Sequence, residues 1–435
     1  MTVGIIGGGI MGLVIASRLS RLGNIVHVME SESQLGGLAT WFDYKDFFWD
    51  KFYHVILPSD HYLIDLIDEL NLSDQLMWTP TKSGFLWHKQ YISMNNHWEL
   101  LTFPALTAYQ KARLVGGILA CQFWTNPEKL HHVKAKDWLA SVFGNDVYKI
   151  IWDPLLESKF GSLKESIPAG IMHSTIMRYR QSRKTSSGQE IMGHLKGGLK
   201  VLIERLAQDI ISRGGKITCN CKVTSITEQS KNVVVNTNTA QQPLVFERVI
   251  NTLPTFIFQK IAPDIKGLYR EQGQHPQFLG VICLSLVLGK AFSPFYLTNI
   301  LDRGYPFTGI VEPSNVGSSE EFNGKHLLML PRYEVPNSPW FDKSDQEIKE
   351  AFLEKLNSIR PGFSDGIEKS FVQRARMVQA LWIDSVPLYS EPQRNEEESI
   401  WIVNSELSQG HTLSNNNIVE IATKALKKMT WIQGR

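Results

Sequence analysis

Val3-Gly4-Ile5-Ile6-Gly7-Gly8-Gly9-Ile10-Met11-Gly12 decides the fold: a short apolar run feeds glycines at positions 7, 9 and 12, spaced GxGxxG. Such a run suits a buried parallel strand. A helical pattern follows through Leu13, Val14, Ser17 and Arg18 to Leu22, and Gly23 can end it. Ile25-Val26-His27-Val28-Met29 then reads as a second strand with Glu30 at its tip and Ser31 beyond. Gly7 permits the tight turn, Gly9 lets backbone approach a pyrophosphate, and Gly12 lets the helix pack closely on the strand. The first helical turn, Ile10 and Met11, offers free N–H groups and a partial positive charge to phosphates. Glu30 can accept from ribose hydroxyls, and an acid there disfavours a 2′-phosphate. Strand, glycines, helix, second strand and acid occur in order, which predicts dinucleotide binding over a merely structural glycine turn.

Working outward, a second glycine pair follows the acid in Leu35-Gly36-Gly37-Leu38-Ala39. This order resembles the glutathione-reductase-like flavoproteins of the amine oxidase, protoporphyrinogen oxidase and carotenoid desaturase group, in its bacterial protoporphyrinogen-oxidase-like branch. The resemblance implies FAD, with Gly36, Gly37, Leu38 and Ala39 close to its phosphates and ribityl chain. Many members carry Arg after the pair, where this chain has Leu38.

Two later blocks are similar to the same family. Lys196-Gly197-Gly198-Leu199 opens a helical pattern that ends at Gly214-Gly215. Strand-like runs follow at Lys216–Cys219, Val223–Ile226 and Val233–Val235, then Arg248-Val249-Ile250-Asn251-Thr252-Leu253-Pro254. The resemblance places Val223 against the adenine and Thr252 in the turn at the edge of the FAD domain. Near the C-terminus Ile400–Val403 reads as a strand, and Asn415-Asn416-Asn417 precedes a helical stretch from Ile418 to Lys427. Relatives often end that strand in Gly-Asp; here Asn404-Ser405-Glu406 stands instead. Asn416 or Asn417 is expected to cap a helix whose N-terminus faces the flavin, an ordinary cap being the alternative.

The implied fold class is α/β: a discontinuous Rossmann-like FAD-binding domain of glutathione-reductase type, with an α+β substrate lobe of antiparallel sheet and helices. Segments 1–80, 190–265 and 395–435 are expected in the FAD lobe, and 81–189 and 266–394 in the substrate lobe. Trp152–Leu156, Lys159-Phe160-Gly161 and Phe307–Glu312 resemble substrate-domain segments of the bacterial branch. Polar stretches at Asn232–Gln242 and Glu391–Ser399 read as surface loops.

Composition bounds the partners. Lys plus Arg total 45 against 43 for Asp plus Glu, which gives no electrostatic reason to expect nucleic acid. Twelve Trp and 21 Phe suit a large apolar cavity as well as a core. Cys121, Cys219, Cys221 and Cys283 form no CxxC pair, and Cys219 and Cys221 would share one face of a strand. No redox dithiol or metal site follows, and a reduced, cytoplasmic setting is the expectation. The N-terminal apolar run is broken by glycines, unlike a signal peptide. No uncharged stretch reaches the roughly 18 residues of a membrane span. Leu100–Trp124, poor in charge and rich in aromatics, suits a buried helix pair, with dipping into a membrane surface as the alternative. Nothing in the sequence specifies an oligomeric state.

In the family resembled, a C–H or C–N bond of a small molecule delivers hydride to the flavin. Asp50-Lys51-Phe52-Tyr53-His54 sits where the family's chain passes the flavin ring, so His54 and Lys51 are the candidate catalytic groups, against a structural histidine and a solvated surface lysine. That segment also resembles UDP-galactopyranose mutase, which leaves flavin-dependent isomerisation of a nucleotide sugar as an alternative and a non-catalytic flavoprotein as another. Arg178-Tyr179-Arg180-Gln181-Ser182-Arg183-Lys184 is the densest basic cluster. Arg180 and Arg183 are its candidate substrate contacts for a carboxylate or diphosphate, against a plain solvated helix face.

Overall fold

The computed structural model describes residues 1–181, 190–265, 268, 275–383, 391–395, 397–408 and 410–433. Thr2–Ile6 lies inside a six-stranded sheet ordered Gln393–Arg394, Ile400–Ile402, Arg248–Asn251, Thr2–Ile6, Ile25–Met29, Lys216–Thr218. All neighbours are parallel except the edge pair Gln393–Arg394 and Ile400–Ile402. Val3, Ile5 and Ile6 are buried because parallel strands flanked by helices are covered on both faces. The helix Ile10–Arg21 packs against Lys200–Ser212 and Asn415–Lys428, so nearly all of it is buried. Its C-terminal arginines reach out to acids on other elements: Arg18 and Arg21 pair with Glu69, and Arg21 also with Asp209. Gly23, with φ +78°, ends the turn after it. A three-stranded sheet, Val223–Gln229, Asn232–Thr237 and Leu244–Phe246, stands beside this Rossmann-like layer.

The second sheet has seven strands: Ile367–Leu381, Gln277–Leu288, His326–Glu334, Gly309–Val311, Leu297–Ile300, Ser83–Trp87 and Gln90–Ser93. It is antiparallel but for Leu297–Ile300 on Ser83–Trp87. Gln277–Leu288 is buried from Phe278 onward, which accounts for its unbroken apolar run. One set of its residues (Ile282, Leu284, Leu286) meets the helix Asp345–Ile359 through Ile348, Phe352 and Leu356. The alternate set (Val281, Cys283, Val287) meets Tyr44, Phe47 and Trp49. The stretch around Tyr44–Phe52 therefore packs on the second sheet although it follows the first sheet's glycine turns. Helices between residues 97 and 181 close around Phe103, Leu139, Phe143 and Ile171.

Four expectations are corrected. The polar stretch from Asn232 contains the paired strand Asn232–Thr237, and Gln393–Arg394 pairs with Ile400–Ile402, because backbone pairing outweighs the polarity of the side chains. The strand from Lys216 ends at Thr218, so Cys219 and Cys221 lie in a turn, with Asn220 N and Cys221 N donating to Glu32 O and Glu30 O. Helix Asn415–Lys428 takes in all three asparagines: Ser414 is the N-cap, its Oγ accepting from Asn417 N at 3.2 Å. Lastly, Leu100–Trp124 is not a buried pair. On helix Ala108–Phe123 one face (Leu114, Gly117, Cys121) is buried, while Tyr109, Val115, Leu119 and Phe123 are exposed. Gly117 lies tight on Phe143, where a Cβ would come to 2.3 Å, so only this narrow face is drawn inward. Among the described residues no helix is long and apolar enough to cross a membrane.

Candidate active site

The strand ends converge on the glycine turn. Gly7, at φ +102°, donates to Met29 O, and Thr252 N and Oγ1 donate to Ile6 O at 3.0 and 2.8 Å. Glu30 is buried and its Oε2 accepts from Gly8 N at 2.6 Å, while its Oε1 accepts from Glu32 N and Ser31 Oγ. Gly36, at φ +107°, donates to Gly8 O at 2.8 Å and bridges Gly9, so the two glycine turns are stitched together. Gly37, also at positive φ, lies against Gly9. A Cβ on Gly12 would fall 2.1 Å from Gly7 O, whereas one on Gly9 would meet nothing within 4 Å. Gly12 is thus required by the protein itself, and Gly9 leaves an open cradle at a helix start that has no side-chain cap. Uncapped N–H groups beside an open cradle fit a dinucleotide pyrophosphate.

From this cradle a cavity of about 380 Å³ runs toward the second sheet. Gly9, Ile10, Met11, Gly36, Leu38, Ala39 and Thr252 line one end. Ser405 and the start of helix Asn415–Lys428, through Thr412, Ser414 and Asn415, line another wall. Gly7, Gly12, Glu30, Ser31 and Gly37 shape the turns without lining the cavity. Val223 begins a strand two residues after Cys221, whose N donates to Glu30 O, and packs in one cluster with Ile6 and Met29. Asn416 lies away from the cavity: its Oδ1 accepts from Leu63 N at 3.1 Å and braces helix His61–Glu69, while Ser414 does the capping.

The far end is aromatic and basic. Tyr53, His54, Lys159, Arg178, Tyr179, Tyr296 and Tyr333 line it. Tyr53 Oη and Tyr333 Oη share a 2.7 Å hydrogen bond that joins the 50–57 stretch to the second sheet. His54 Nδ1 faces Phe52 O at 3.0 Å and Asp50 Oδ2 at 3.7 Å. Burial lowers its pKa to about 4, with the Arg178 charge adding to the effect, so His54 is neutral at neutral pH. Lys51 does not line the cavity; its ammonium lies over the Phe52 ring. The lysine that does is Lys159, at the end of helix Asp153–Phe160, whose pKa burial brings down to about 8, with help from Arg178.

The basic cluster contributes differently from expectation. Arg178 faces the cavity and holds Asp60 through two contacts of 2.8 and 3.3 Å. Arg180, two residues along helix Ala169–Gln181, does not line it, since a step of two reverses most of a helix's facing. Arg183 lies outside the described residues. Lys159, Tyr296, Tyr333 and Ser405 were missed as site residues. The Lys159-Phe160-Gly161 segment stood out in the sequence, but only the fold brings it against Tyr333. A shallower depression of about 580 Å³ around His88, Asp302 and Tyr305 is built wholly from the second lobe. Among the described residues no cluster of His, Cys, Asp and Glu could hold a metal ion.

A family model described as flavin containing amine oxidoreductase matches residues 10–398. Solved structures share the architecture at low identity. A candidate protoporphyrinogen oxidase from Exiguobacterium superposes with TM-score 0.74 at 16% identity, over 99% of this chain and 98% of that one. Putrescine oxidase bound to putrescine gives 0.71 at 16%, covering 100% of both chains. Cyclohexylamine oxidase from Brevibacterium oxydans gives 0.70 at 14%, over 100% of this chain and 99% of that one.

Proposed function

Because the chain belongs to the flavin-containing amine oxidoreductases, and is therefore an FAD-dependent oxidoreductase, we propose that the cavity between its sheets holds the dinucleotide at the Gly9 end and a small organic substrate at the Tyr53–Tyr333 end. The observation that carries this reading is the continuity of the cavity from an open glycine cradle to an enclosed aromatic chamber. FAD supplies the hydride acceptor; the protein binds, orients and excludes water. The N–H groups of Ile10 and Met11 would hold the pyrophosphate, Glu30 behind the turn would take the ribose, and Leu38, Ala39, Thr252 and Ser405 would line the rest of the cofactor's path. Tyr53, Tyr296 and Tyr333 wall the substrate. His54, neutral at neutral pH, is a flavin or substrate contact and a weak base. In this reading the FAD lobe is 1–80, 190–265 and 395–435 and the substrate lobe 81–189 and 266–394, with Tyr44, Phe47, Trp49 and Phe52 packed on the second sheet. Family and neighbours favour net oxidation over rearrangement of a nucleotide sugar and over a non-catalytic flavoprotein.

The test is the visible spectrum of the purified protein, with the released cofactor identified by chromatography, followed by anaerobic bleaching with candidate substrates. Bound FAD and bleaching by a substrate that emerges oxidised are expected. A colourless protein that takes up no added FAD would sink the reading.

The exposed face of helix Ala108–Phe123 supports a second partner, a bilayer surface reached from the cytoplasm. Trp98 and Trp124, 78% and 79% exposed, stand with Leu101, Tyr109, Leu119 and Phe123 in a segment that also carries Lys111, Lys129 and Lys134. An apolar helix face with flanking cations is the composition of an interfacial helix. The protein should float with vesicles of phosphatidylcholine and phosphatidylglycerol. The double variant Trp98→Ser, Trp124→Ser should float several-fold less while keeping its flavin; wild-type protein left at the bottom of the gradient refutes the contact.

A further inference from the structure

The chamber's charge is unbalanced. Among the residues that line the cavity, Lys159 and Arg178 are cationic and none is Asp or Glu. Arg178 is already neutralised by Asp60, at 2.8 Å. Lys159 has no carboxylate partner among the described residues; its ammonium lies over the rings of Phe160 at 5.4 Å and Tyr333 at 5.8 Å. A buried ammonium left like this is costly unless a counter-charge arrives.

Two further donors point the same way. Tyr296 is 3% exposed and lines the cavity, and its hydroxyl has no hydrogen-bond partner among the described residues. The amide nitrogen of Gln379, also buried and cavity-lining, has none among them either. Buried polar groups are seldom left unpaired, and those that are often await a ligand. Lys159, Arg178 and Tyr296 line the same cavity.

Resting on the reading that this chamber is the substrate end, we propose that the substrate is an organic anion, a carboxylate on an apolar or aromatic body, with Lys159 as counter-ion and Tyr296 and Gln379 as hydrogen-bond donors. One uncompensated positive charge matches a carboxylate better than a phosphate dianion, which would bring a second negative charge into a largely apolar chamber. The same charge excludes a protonated amine, which meets repulsion from Lys159 and finds no acid in the lining. At neutral pH Lys159 remains mostly protonated, since its pKa is brought down only to about 8.

Calorimetric titration with benzoate and with benzylamine, matched in ring and opposite in charge, tests this at pH 7 on the protein as purified. Benzoate should bind at least about tenfold more tightly than benzylamine. Lys159→Met should lose about tenfold or more of the benzoate affinity, Lys159→Arg should keep most of it, and Tyr296→Phe should lose several-fold. Benzylamine binding as well as benzoate, no heat with benzoate, or benzoate affinity unmoved in folded Lys159→Met would each overturn the proposal. So would a Lys159→Met variant whose only change is a shifted resting flavin spectrum, which would give the lysine to the cofactor instead. Should Lys159→Met fail to fold, the wild-type comparison and Tyr296→Phe decide alone. The heat signal needs no flavin, so protein that prefers benzoate yet lacks FAD indicts the cofactor reading, while FAD-loaded protein without that preference indicts this one.

Discussion

At the scale of single residues, two glycines of one motif have different reasons to be glycine. Gly12 touches Gly7 O so closely that no side chain fits, while Gly9 faces open space. Gly12→Ala should therefore destabilise the protein stripped of flavin, by roughly 1–3 kcal/mol for a forced overpacking. Gly9→Val should leave the flavin-free protein's melting temperature nearly unchanged and reduce flavin content to near zero. Thermal unfolding of both variants without cofactor, beside their absorbance near the flavin band, separates the two; normal flavin in Gly9→Val would remove the pyrophosphate from this turn. Reading the sequence reached these residues because their spacing encodes a backbone path. It did not reach Lys159 or Tyr296, whose pattern is that of any lysine or tyrosine; their meaning comes from what they face across long loops. Of the residues singled out in the sequence, His54 lines the cavity and Lys51 does not, and Arg178 stood hidden among its neighbours because only one face of its helix turns inward.

Among elements, the turn of residues 318–324 acts as a clasp. Glu321 accepts from His194 Nε2 at 3.0 Å, Gly197 N at 2.8 Å and Ser318 N at 2.7 Å. It thereby ties the second sheet's loop to the Gly197–Gly198 turn that precedes helix Lys200–Ser212. Burial disfavours the charge on Glu321, but these donors outweigh it and hold its pKa down at about 2. A depressed folded pKa means stability present above the unfolded value of a glutamate and lost as pH falls toward 2. Glu321→Gln should cost about 1–3 kcal/mol at pH 7 and flatten the loss of stability between roughly pH 4.5 and 2. Urea unfolding at a series of pH values checks this; an unchanged acid limb would show the clasp to be idle. Sequence periodicity predicted the strands and helices of the first lobe well, since Gly7, Gly23 and Gly214 mark their ends. It misjudged helix Ala108–Phe123, because an apolar stretch reads the same whether both faces are covered or only one.

Across the whole molecule, the cavity lies between two sheets that draw on alternating stretches of chain, so its ligand should bind the folded protein and not the unfolded one. Removing FAD should lower the unfolding free energy by RT ln(1 + [FAD]/Kd), about 2.7 kcal/mol relative to protein in a hundredfold excess over Kd. Melting curves of stripped and reloaded protein measure it, and coincident curves would mean that the cofactor and the fold are uncoupled. The two-lobe plan was legible because three separated blocks each carried strand and turn signals. Which stretches face one another across the cavity was not, because no local pattern records a contact such as Tyr53 with Tyr333 or Arg178 with Asp60.

The sheet order has a consequence for how the protein is made. Thr2–Ile6 leaves the ribosome long before Ile400–Ile402, which must arrive before the sheet that carries the glycine turn is complete on that side, and helix Asn415–Lys428 before its cover is. At translation rates of roughly 5–20 residues per second, the nascent turn waits some 20 to 80 seconds with its apolar strand unsheltered. Capture of flavin is thus a late event in biosynthesis, and the interval before it is when a chaperone has most to protect.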